Sequence, residues 1–216
     1  MALKDIKIIV GLAMKDMLLL DSLVTALEVS DTVQVAAKAT TNDKFINQLS
    51  KSKLRPSVCI IDFSIPNSYK LIRDLKSRWP RMRLLVVVSA YSQYTIDVLI
   101  FQKVNGFIGR NASVKQLIDA IGTVKKNKFY YSPIAKEKRF SAIKNREISV
   151  PRLTTRQVEF LNHCVTSANY VEIAEKLEIS VRGVDSIRDL LFEKFGVRNR
   201  TDLVMEAIRS GIVSVN

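Results

Sequence analysis

Residues 169–191 read NYVEIAEKLEISVRGVDSIRDLL, a stretch in which two short helical patterns meet across a tight turn. Asn169 followed by Glu172 has the spacing of a capping box, which starts a helix by satisfying free backbone N–H groups. Ser180 can cap a second helix. The apolar residues of that helix recur at three- and four-residue steps and are Val184, Ile187 and Leu191. The stretch therefore predicts a helix-turn-helix.

The second helix also has a polar face, opposite the apolar residues that we expect to be buried. Its members are Arg182, Asp185, Ser186, Arg188 and Asp189. A helix with one apolar side and one side of hydrogen-bonding groups can enter the major groove of DNA and read base edges. Taken alone, the segment also fits an ordinary helical hairpin whose charged face is solvated.

Residues on either side extend the pattern to four helices over residues 151–216. Upstream, Thr154 and Gln157 repeat the capping-box spacing ahead of an apolar helical pattern. Downstream, Gly196 can end the second helix in a left-handed C-terminal cap, and Thr201 can open a last helix. The sequence thus predicts an all-α domain in this region.

This half of the chain closely resembles the LuxR-type DNA-binding domain. The residues that carry the resemblance are Leu153-Thr154, Arg156, Glu172-Ile173-Ala174, Ile179-Ser180, Val184 and the run from Gly196 to Thr201. The resemblance implies a transcription regulator that binds double-stranded DNA as a homodimer, with Arg198 and Arg200 as further candidate DNA contacts. We expect the dimer helix to run from Thr201 to Gly211. The apolar residues that we expect to be only partly buried within the domain, and so available for a dimer contact, are Leu203, Ala207 and Ile208.

Three positions of the groove-facing helix depart from that family. Many members carry threonine, lysine and histidine where this chain has Gly183, Asp185 and Ile187. An acidic side chain faces phosphates poorly, but Asp185 can accept from a cytosine amino group or hold Arg182 or Arg188 through an intrahelical pair. The bases recognised therefore do not follow from the resemblance.

The first 130 residues alternate apolar, β-branched runs with helical patterns. The runs are residues 6–10, 33–37, 58–61, 84–88 and 106–108, and the helical patterns are 17–28, 42–52, 68–78, 93–104 and 113–126. Strands that alternate with helices of this length predict a parallel sheet with helices on both faces. We expect an α/β domain with a five-stranded, flavodoxin-like sheet over residues 1–130.

Polar residues follow three of the predicted strands, at the carboxyl ends where ligands of open α/β sheets bind. Asp62 follows the third strand, Ser89 the fourth and Arg110 the fifth. Together with the motifs DFSIP (62–66) and NAS (111–113), this arrangement resembles the receiver domain of response regulators. The resemblance implies a phosphoacceptor position at Asp62, a hydroxyl switch position at Ser89 and a lysine position that Arg110 holds here.

The magnesium site of receivers is degenerate in this sequence. Receivers hold Mg²⁺ with an acidic pair just after the first strand, because a small hard dication facing phosphate needs carboxylate ligands. Here direct alignment puts Leu12 and Ala13 at the pair, and a shift of two residues puts Met14 and Lys15 there. We therefore expect no metal cofactor and little or no phosphorylation.

Arg110 strengthens that expectation. A planar guanidinium can fork onto the Asp62 carboxylate, whereas the compact ammonium of a lysine approaches an acyl phosphate as a point charge. An Asp62–Arg110 ion pair would imitate the charges of the activated state, so we predict a regulator controlled without normal aspartate phosphorylation. The alternatives are a conventional two-component response regulator that a histidine kinase phosphorylates at Asp62, and a protein-binding adaptor whose helix-turn-helix no longer contacts DNA.

The chain is strongly basic, and the excess charge is unevenly distributed. The net charge is +13, with 25 Lys+Arg against 12 Asp+Glu in residues 1–149 and 9 against 9 in residues 150–216. Such an excess indicates an anionic partner, either DNA phosphates or an acidic regulatory protein. Residues 131–150 are predicted to form a basic linker. The cations of its central part are Lys136, Lys138, Arg139, Lys144 and Arg146.

The cysteines, the histidine and the apolar runs narrow the class of protein. Cys59 and Cys164 fall in separate predicted domains, and no Cys/His spacing fits a zinc site. His163 lies on a predicted helix, where packing or exposure on the helix surface is expected and catalysis is not. No apolar run approaches the roughly 18 residues of a membrane span. We expect a cytoplasmic protein that is not an enzyme and does not bind membranes.

Overall fold

The amino-terminal part of the chain folds around one parallel sheet. The computed structural model describes residues 7–89, 93–131, 153–210 and 212–213. The strands are β1 (Ile8–Ala13), β2 (Val33–Ala39), β3 (Val58–Asp62), β4 (Arg83–Val88), β5 (Gly106–Gly109) and β6 (Tyr130–Tyr131). They lie in the order β2-β1-β3-β4-β5-β6, and each neighbouring pair is parallel. The predicted α/β class is confirmed.

Helices cover both faces of this sheet. They are α1 (Met17–Val29), α2 (Asn42–Lys51), α3 (Ser68–Arg78), α4 (Gln93–Phe101) and α5 (Val114–Lys125). Side chains of α2, α3 and α4 form a buried cluster on one face, and those of α1 and α5 form another on the opposite face. The central strands are apolar along nearly their whole length because both of their faces are covered.

The sheet has a sixth strand that the sequence pattern did not indicate. Tyr130 and Tyr131 pair with Gly106 and Phe107, which carries the sheet one residue beyond the predicted domain boundary at 130. A Cβ atom at position 106 would lie 2.5 Å from the carbonyl oxygen of Tyr130, so the approach requires glycine. The expectation of five strands was wrong because a two-residue strand is too short to show a periodicity.

The first strand also runs further than expected. β1 continues through Gly11 to Ala13, whereas the apolar run predicted its end at Val10. Gly11 lies against the ring of Phe45 and the thiol of Cys59, each 3.1 Å from where a Cβ atom would stand. The longer strand places residue 14 directly at the carboxyl edge of the sheet.

The carboxy-terminal part of the chain forms a helical domain with its own core. Its helices are α6 (Thr155–Cys164), α7 (Tyr170–Lys176), α8 (Val181–Phe195) and α9 (Arg200–Arg209). The predicted N-caps are confirmed at Thr154, Asn169 and Ser180. Gly196 ends α8 with a φ of 66°, the left-handed conformation predicted for it. The expected start of the last helix at Thr201 was wrong, because Asn199 caps α9 by accepting from the backbone N–H of Asp202.

Helix α9 packs differently from the expectation. Leu203 and Ala207, expected to be partly spare for a dimer contact, are fully buried in the core of their own domain. Ile208 is half-buried and Met205 is exposed. A contact between two copies through this helix would therefore use its outer face. The predicted end of the dimer helix, Gly211, lies outside the described residues.

Hydroxyl groups of the two domains meet between α4 and the end of α9. The Oγ1 atom of Thr95 and the Oγ atom of Ser210 are 3.4 Å apart, and both residues are buried. Ser210 Oγ also donates to Glu206 Oε1 at 3.3 Å. Apart from Tyr131, the predicted basic linker lies outside the described residues.

Both cysteines are buried free thiols, one in each domain. Burial raises the pKa of the Cys164 thiol to about 11, against a smaller lowering by the nearby Arg200 cation. Cys59 lies in the sheet beside the Met82 thioether, and burial likewise raises the pKa of its thiol. In the described part of the chain, no helix combines the length and apolar character needed to cross a membrane.

Candidate functional site

Asp62 is the last residue of β3 and lies at the carboxyl edge of the sheet, where it is only 1% exposed. Its Oδ1 atom accepts hydrogen bonds from the backbone N–H and the hydroxyl of Ser64, at 3.0 and 2.7 Å. Its Oδ2 atom accepts from the backbone N–H of Lys15 at 3.3 Å and from the guanidinium of Arg110 at 2.5 Å. Because a carboxylate offers about four lone-pair sites, donors of the protein fill the capacity of this one.

Arg110 follows β5 and forms the predicted ion pair with Asp62, but it does so through Nη2 on Oδ2 and not as the predicted fork. The same Nη2 atom that donates to Asp62 also donates to the hydroxyl oxygen of Ser64 at 2.9 Å. Ser64 therefore closes a ring of three residues. Sequence reasoning missed Ser64, although an aspartate followed two residues later by serine is a common local pairing of side chain and backbone.

The residues beside Asp62 do not fit a magnesium ion. Met14 is buried directly after β1 and offers a thioether, and Lys15 brings a second cation. Asp16 accepts from the backbone N–H of Leu19 and so serves as the cap of α1. Mg²⁺ requires oxygen ligands in octahedral geometry. Over residues 7–89, 93–131, 153–210 and 212–213, no group of three or more His, Cys, Asp or Glu side chains could hold a metal ion.

Ser89, at the predicted switch position, follows β4 and is exposed. The backbone N–H of Arg110 donates to the carbonyl oxygen of Val88 at 2.9 Å, which holds the ends of β4 and β5 side by side. Among the described residues, no hydrogen bond joins Ser89 to Asp62. The structure thus brings Arg110 into the Asp62 network and leaves Ser89 beside it.

The polar face of α8 divides into a free part and a paired part. Arg182 and Ser186 are exposed one turn apart, and the Ser186 hydroxyl donates to the Arg182 carbonyl oxygen at 2.9 Å. Among the residues that the structure describes, Arg182 has no carboxylate within ion-pair distance. Its guanidinium is therefore available to an external acceptor. Arg198, just beyond the end of α8, is exposed as well.

Arg188 belongs to the paired part of that face. Its Nη1 atom donates to Asp185 at 2.6 Å and its Nε atom donates to Asp189 at 2.9 Å. The guanidinium also stacks over the rings of Tyr170 and Phe192, at 5.5 and 6.0 Å from their centroids. The predicted intrahelical pair is present, and Arg188 is held in place by neighbours on both sides.

Arg200 is also engaged within the domain. Its Nη2 atom donates to the carbonyl oxygens of Cys164 and Thr166, both at 3.1 Å, at the end of α6. A cation there satisfies carbonyl groups that the helix leaves free. Its guanidinium lies 5.4 Å from the centre of the Tyr170 ring. Tyr170, which sequence reasoning did not single out, therefore organises two arginines, and burial raises the pKa of its hydroxyl.

An apolar residue joins the exposed face of α8 at its amino-terminal end. Val181, the first residue of the helix, is 43% exposed. Small apolar side chains on a groove-facing helix can contact the methyl group of thymine. The sequence analysis considered only polar residues for this role, and the position of Val181 in the first turn is the signal that could have identified it.

The helical domain matches a known family. Residues 151–207 match the model of the bacterial regulatory proteins of the luxR family. The carboxy-terminal domain belongs to the luxR family. In this chain the luxR-family domain comprises α6, α7 and α8 and most of α9, with α7 and α8 as the helix-turn-helix.

Sequence similarity to other proteins extends over both domains of the chain. The chain is 26% identical to the transcriptional regulatory protein DesR of Bacillus subtilis (strain 168) over 198 residues, which is 90% of this chain and 93% of DesR. It is 22% identical over 191 residues to the DNA-binding transcriptional activator EvgA of Escherichia coli (strain K12), covering 85% of this chain and 90% of EvgA. The amino-terminal domain is thus shared with these proteins as well as the luxR-family domain.

The fold of the chain is similar to that of solved response regulators. One is RcsB from Salmonella enterica serovar Typhimurium, bound to a promoter in the presence of the phosphomimetic BeF3-. That structure has a TM-score of 0.63 and 20% identity, and the match covers 93% of this chain and 98% of RcsB. The chain therefore consists of a receiver-like domain followed by a luxR-family domain.

Proposed function

We propose that the protein is a sequence-specific DNA-binding transcription regulator whose receiver domain controls it without conventional phosphorylation of Asp62. The hydrogen bonding of that carboxylate carries the proposal. To attack phosphorus, a carboxylate oxygen needs a free lone pair, and the incoming phosphate needs cations that neutralise its charge. Here Ser64, Lys15 and Arg110 engage both oxygens of Asp62, and the neighbouring side chains do not suit Mg²⁺.

The ion pair supplies a fixed charge arrangement in place of a phosphate. Arg110 reaches the acceptor aspartate directly, so the two strand ends that a phosphoryl group would join are already joined. Control then comes from another input, such as a regulatory protein or the assembly of two copies. Under this proposal Asp62 is a structural acid of the receiver.

Helix α8 is the element proposed to enter the major groove. Arg182 and Ser186 face outward to read base edges, with Val181 beside them and Arg198 toward the phosphates. The pairing of Arg188 with Asp185 and Asp189 fixes the charged middle of the helix, so these residues act in recognition as one unit. Arg200 connects the start of α9 to the end of α6. It is proposed to affect DNA binding indirectly, by fixing the relative position of these two helices.

The protein is proposed to bind DNA as a homodimer. Symmetric dimers of helix-turn-helix domains read half-sites about 34 Å apart, one turn of the double helix. The outer face of α9, with Met205 exposed and Ile208 half-buried, is the part of that helix left for a second copy. Two linked domains gain affinity over one, because the second contact forms at high effective concentration.

The phosphorylation part is tested by incubating the full chain with acetyl phosphate and Mg²⁺ and separating the products on a phosphate-affinity gel. The expected result is a single unshifted band, under conditions that shift a conventional receiver run in parallel. A shifted band that disappears in the Asp62→Ala variant would show that the protein is a conventional phosphotransfer switch.

The DNA part is tested by selecting genomic fragments with the wild-type chain and measuring their affinity for variants. Arg182→Ala is expected to lose roughly tenfold or more, because a good base contact is worth about 1–3 kcal/mol. Asp62→Ala is expected to stay within a few-fold of wild type. If the wild-type chain selects no fragment, the protein is an adaptor instead. A gain in affinity on treatment with acetyl phosphate and Mg²⁺ that Asp62→Ala abolishes would contradict control without phosphorylation.

A further inference from the structure

At the edge of the sheet opposite Asp62, the connections that enter β3, β4, β5 and β6 carry cations and no acids. Residues 51–57, before β3, read KSKLRPS, and residues 76–83, leading into β4, read KSRWPRMR. Residues 101–105, before β5, read FQKVN, and residues 124–129, before β6, read VKKNKF. We call the lysines and arginines of these four segments the basic edge.

The topology brings these segments together although they are far apart in sequence. All strands run parallel, so each connection that enters a strand lies at the same edge. β3, β4, β5 and β6 are direct neighbours. At about 4.8 Å between adjacent strands, the four entries span about 14 Å. That width is comparable to the roughly 12 Å of the major groove, so the cations can reach the phosphates that border a groove.

Most cations of the basic edge are exposed, and they lack acidic partners. Lys53, Arg55, Arg81, Lys103 and Lys128 are all exposed. In the part of the chain that the structure describes, no carboxylate lies within ion-pair distance of any lysine or arginine of the edge.

The crowding of like charges is visible at a half-buried member of the edge. Lys76 donates to the side-chain oxygen of Asn105 at 3.1 Å. Burial, and then repulsion by Arg83, lowers the pKa of this lysine. The positive charges of Lys76 and Arg83 therefore repel each other, and a bound anion would reduce this repulsion.

The luxR-family domain does not share this charge. Residues 150–216, which include the luxR-family domain, carry 9 Lys+Arg and 9 Asp+Glu, so the domain with the helix-turn-helix has no net charge of its own. The excess that gives the whole chain a net charge of +13 lies in residues 1–149. Long-range attraction to a polyanion must therefore come from outside the luxR-family domain.

We propose that the basic edge of the receiver domain binds the phosphate backbone of the DNA that the luxR-family domain recognises, as a second contact independent of sequence. This inference rests on the proposed DNA-binding function. It gives the receiver domain a direct part in DNA affinity. Contacts of this kind carry no base information, and each lysine or arginine that neutralises a phosphate makes binding more salt-dependent.

Tethering to the luxR-family domain favours DNA as the occupant of the edge. A domain tethered to one already on DNA meets the duplex at an effective concentration in the millimolar range. Sequence-independent binding has a Kd of about 10⁻⁴–10⁻⁶ M at physiological salt, so a tethered contact of that strength is occupied. Leu54, Phe101 and Phe129 are also exposed at this edge. An acidic protein with apolar side chains would use them, and such a partner is the competing outcome of the test.

The experiment compares two triple variants of the full chain that remove the same charge from opposite edges. Lys125→Gln/Lys126→Gln/Lys128→Gln removes three exposed lysines of the basic edge. The matched control Lys44→Gln/Lys70→Gln/Lys115→Gln removes three exposed lysines at the amino-terminal ends of helices, which lie toward the Asp62 edge. The Kd for a selected genomic fragment and for its scrambled version is measured from about 50 to 300 mM salt, a range over which phosphate contacts weaken strongly.

The basic-edge variant is expected to reduce the slope of log K against log salt by about one for each lost phosphate contact, up to about three. Its affinity at about 50 mM salt should fall roughly tenfold or more on both DNAs, with their ratio unchanged. The control should keep the wild-type slope. A second basic-edge variant, Lys53→Gln/Arg55→Gln/Lys103→Gln, changes the neighbouring connections and should show the same loss of affinity. It leaves α5 unchanged, so a local distortion of α5 could not explain the result.

Equal effects of the two triples would overturn the proposal, because net charge alone would explain them. Unchanged slopes in both basic-edge variants would overturn it in favour of an acidic protein partner. Failure of the proposed function has a different signature, since the wild-type chain would then select no fragment, or would bind the selected and scrambled fragments equally well.

Discussion

The guanidinium of Arg110 reaches the buried carboxylate of Asp62 at 2.5 Å and donates at the same time to the hydroxyl of Ser64. The side chain of Arg110 is 38% exposed, whereas that of Asp62 is 1% exposed, so water reaches only the arginine of the pair. Hydrogen bonds from these donors offset the free-energy cost of burying the Asp62 carboxylate. Removal of any donor should therefore lower the stability of the receiver domain.

The first prediction concerns the stability of that pair. Arg110→Met leaves a buried carboxylate with one donor fewer and no counter-charge, and should lower the free energy of unfolding of the receiver by about 1–3 kcal/mol. That range lies below the loss for a fully buried pair, because water screens the exposed arginine. The fluorescence of Trp79, the single tryptophan, follows the unfolding of this domain in urea.

A double variant serves as the control for this prediction. Asp62→Asn/Arg110→Met removes both charges and should recover part of the stability lost in the single variant, because no unpaired buried charge remains. Equal midpoints for Arg110→Met and wild type would show that the pair does not stabilise the receiver.

A second prediction concerns the charged middle of α8. Asp185→Asn removes a negative charge beside Arg188 and leaves that arginine with Asp189 as its carboxylate. Affinity for scrambled DNA should rise by a few-fold at low salt, because the variant repels phosphates less. Filter binding at low and high salt measures this, and a loss of affinity confined to the selected fragment would indicate that Asp185 itself contacts a base.

A third prediction uses two glycines with opposite surroundings. Gly106→Ala would place a Cβ atom 2.5 Å from the carbonyl oxygen of Tyr130, whereas Gly122→Ala in α5 would place one where nothing lies within 4 Å. The first should destabilise the receiver by about 1–3 kcal/mol through overpacking. The second should stabilise it by about 0.5–1 kcal/mol through helix propensity. Both stability changes are measured by Trp79 fluorescence during unfolding in urea. Effects of the same sign would contradict the close approach of β5 and β6 at Gly106.

A fourth prediction concerns Gly183 in the first turn of α8. A Cβ atom there would lie 3.5 Å from Ile179 and from Ser180, which is ordinary contact. Gly183→Ala should therefore stabilise the luxR-family domain by about 0.5–1 kcal/mol, and the backbone N–H that donates to Ser180 is kept. Far-UV circular dichroism during heating measures the change. A lower melting temperature would show that the turn cannot accept a side chain.

A fifth prediction concerns the pH dependence of Cys164. Its pKa is raised to about 11 in the folded protein, against roughly 8.5 for an unfolded cysteine. Reaction with a disulfide reagent at pH 8 should thus be at least about 100-fold slower in the native chain than in urea, because the thiolate is the reactive form. The stability that the buried thiol contributes is fully present below about pH 8.5 and is lost as the pH rises toward 11. Rapid native labelling would contradict the burial.

Much of the fold could be predicted because periodicity and caps are local signals. The capping boxes at Thr154 and Asn169 and the glycine cap at Gly196 depend on residues only a few positions apart, and all three are present. β6 depends on a close approach between Tyr130 and Gly106, which are distant in sequence. No local pattern contains that information.

Some contacts of the candidate sites could be predicted from the sequence, and others could not. The Asp62–Arg110 pair was predictable, because parallel strands bring the ends of β3 and β5 to one edge. The contacts of Arg200 with Cys164 and Thr166 were not, since an arginine in a DNA-binding motif reads as a phosphate contact until its neighbours are known. The roles proposed for Arg182, Ser186 and Arg198 stay predictions.

The sixth strand also determines where the tether between the domains begins. β6 runs parallel to β5, so the backbone at Tyr131 heads toward the edge at which Arg110 meets Asp62. Arg110 lies three positions after Phe107, the partner of Tyr131, which is about 10 Å of extended chain. The described chain therefore leaves the sheet on the side of the ion pair, and the lysines and arginines of the basic edge lie at the other end of the strands.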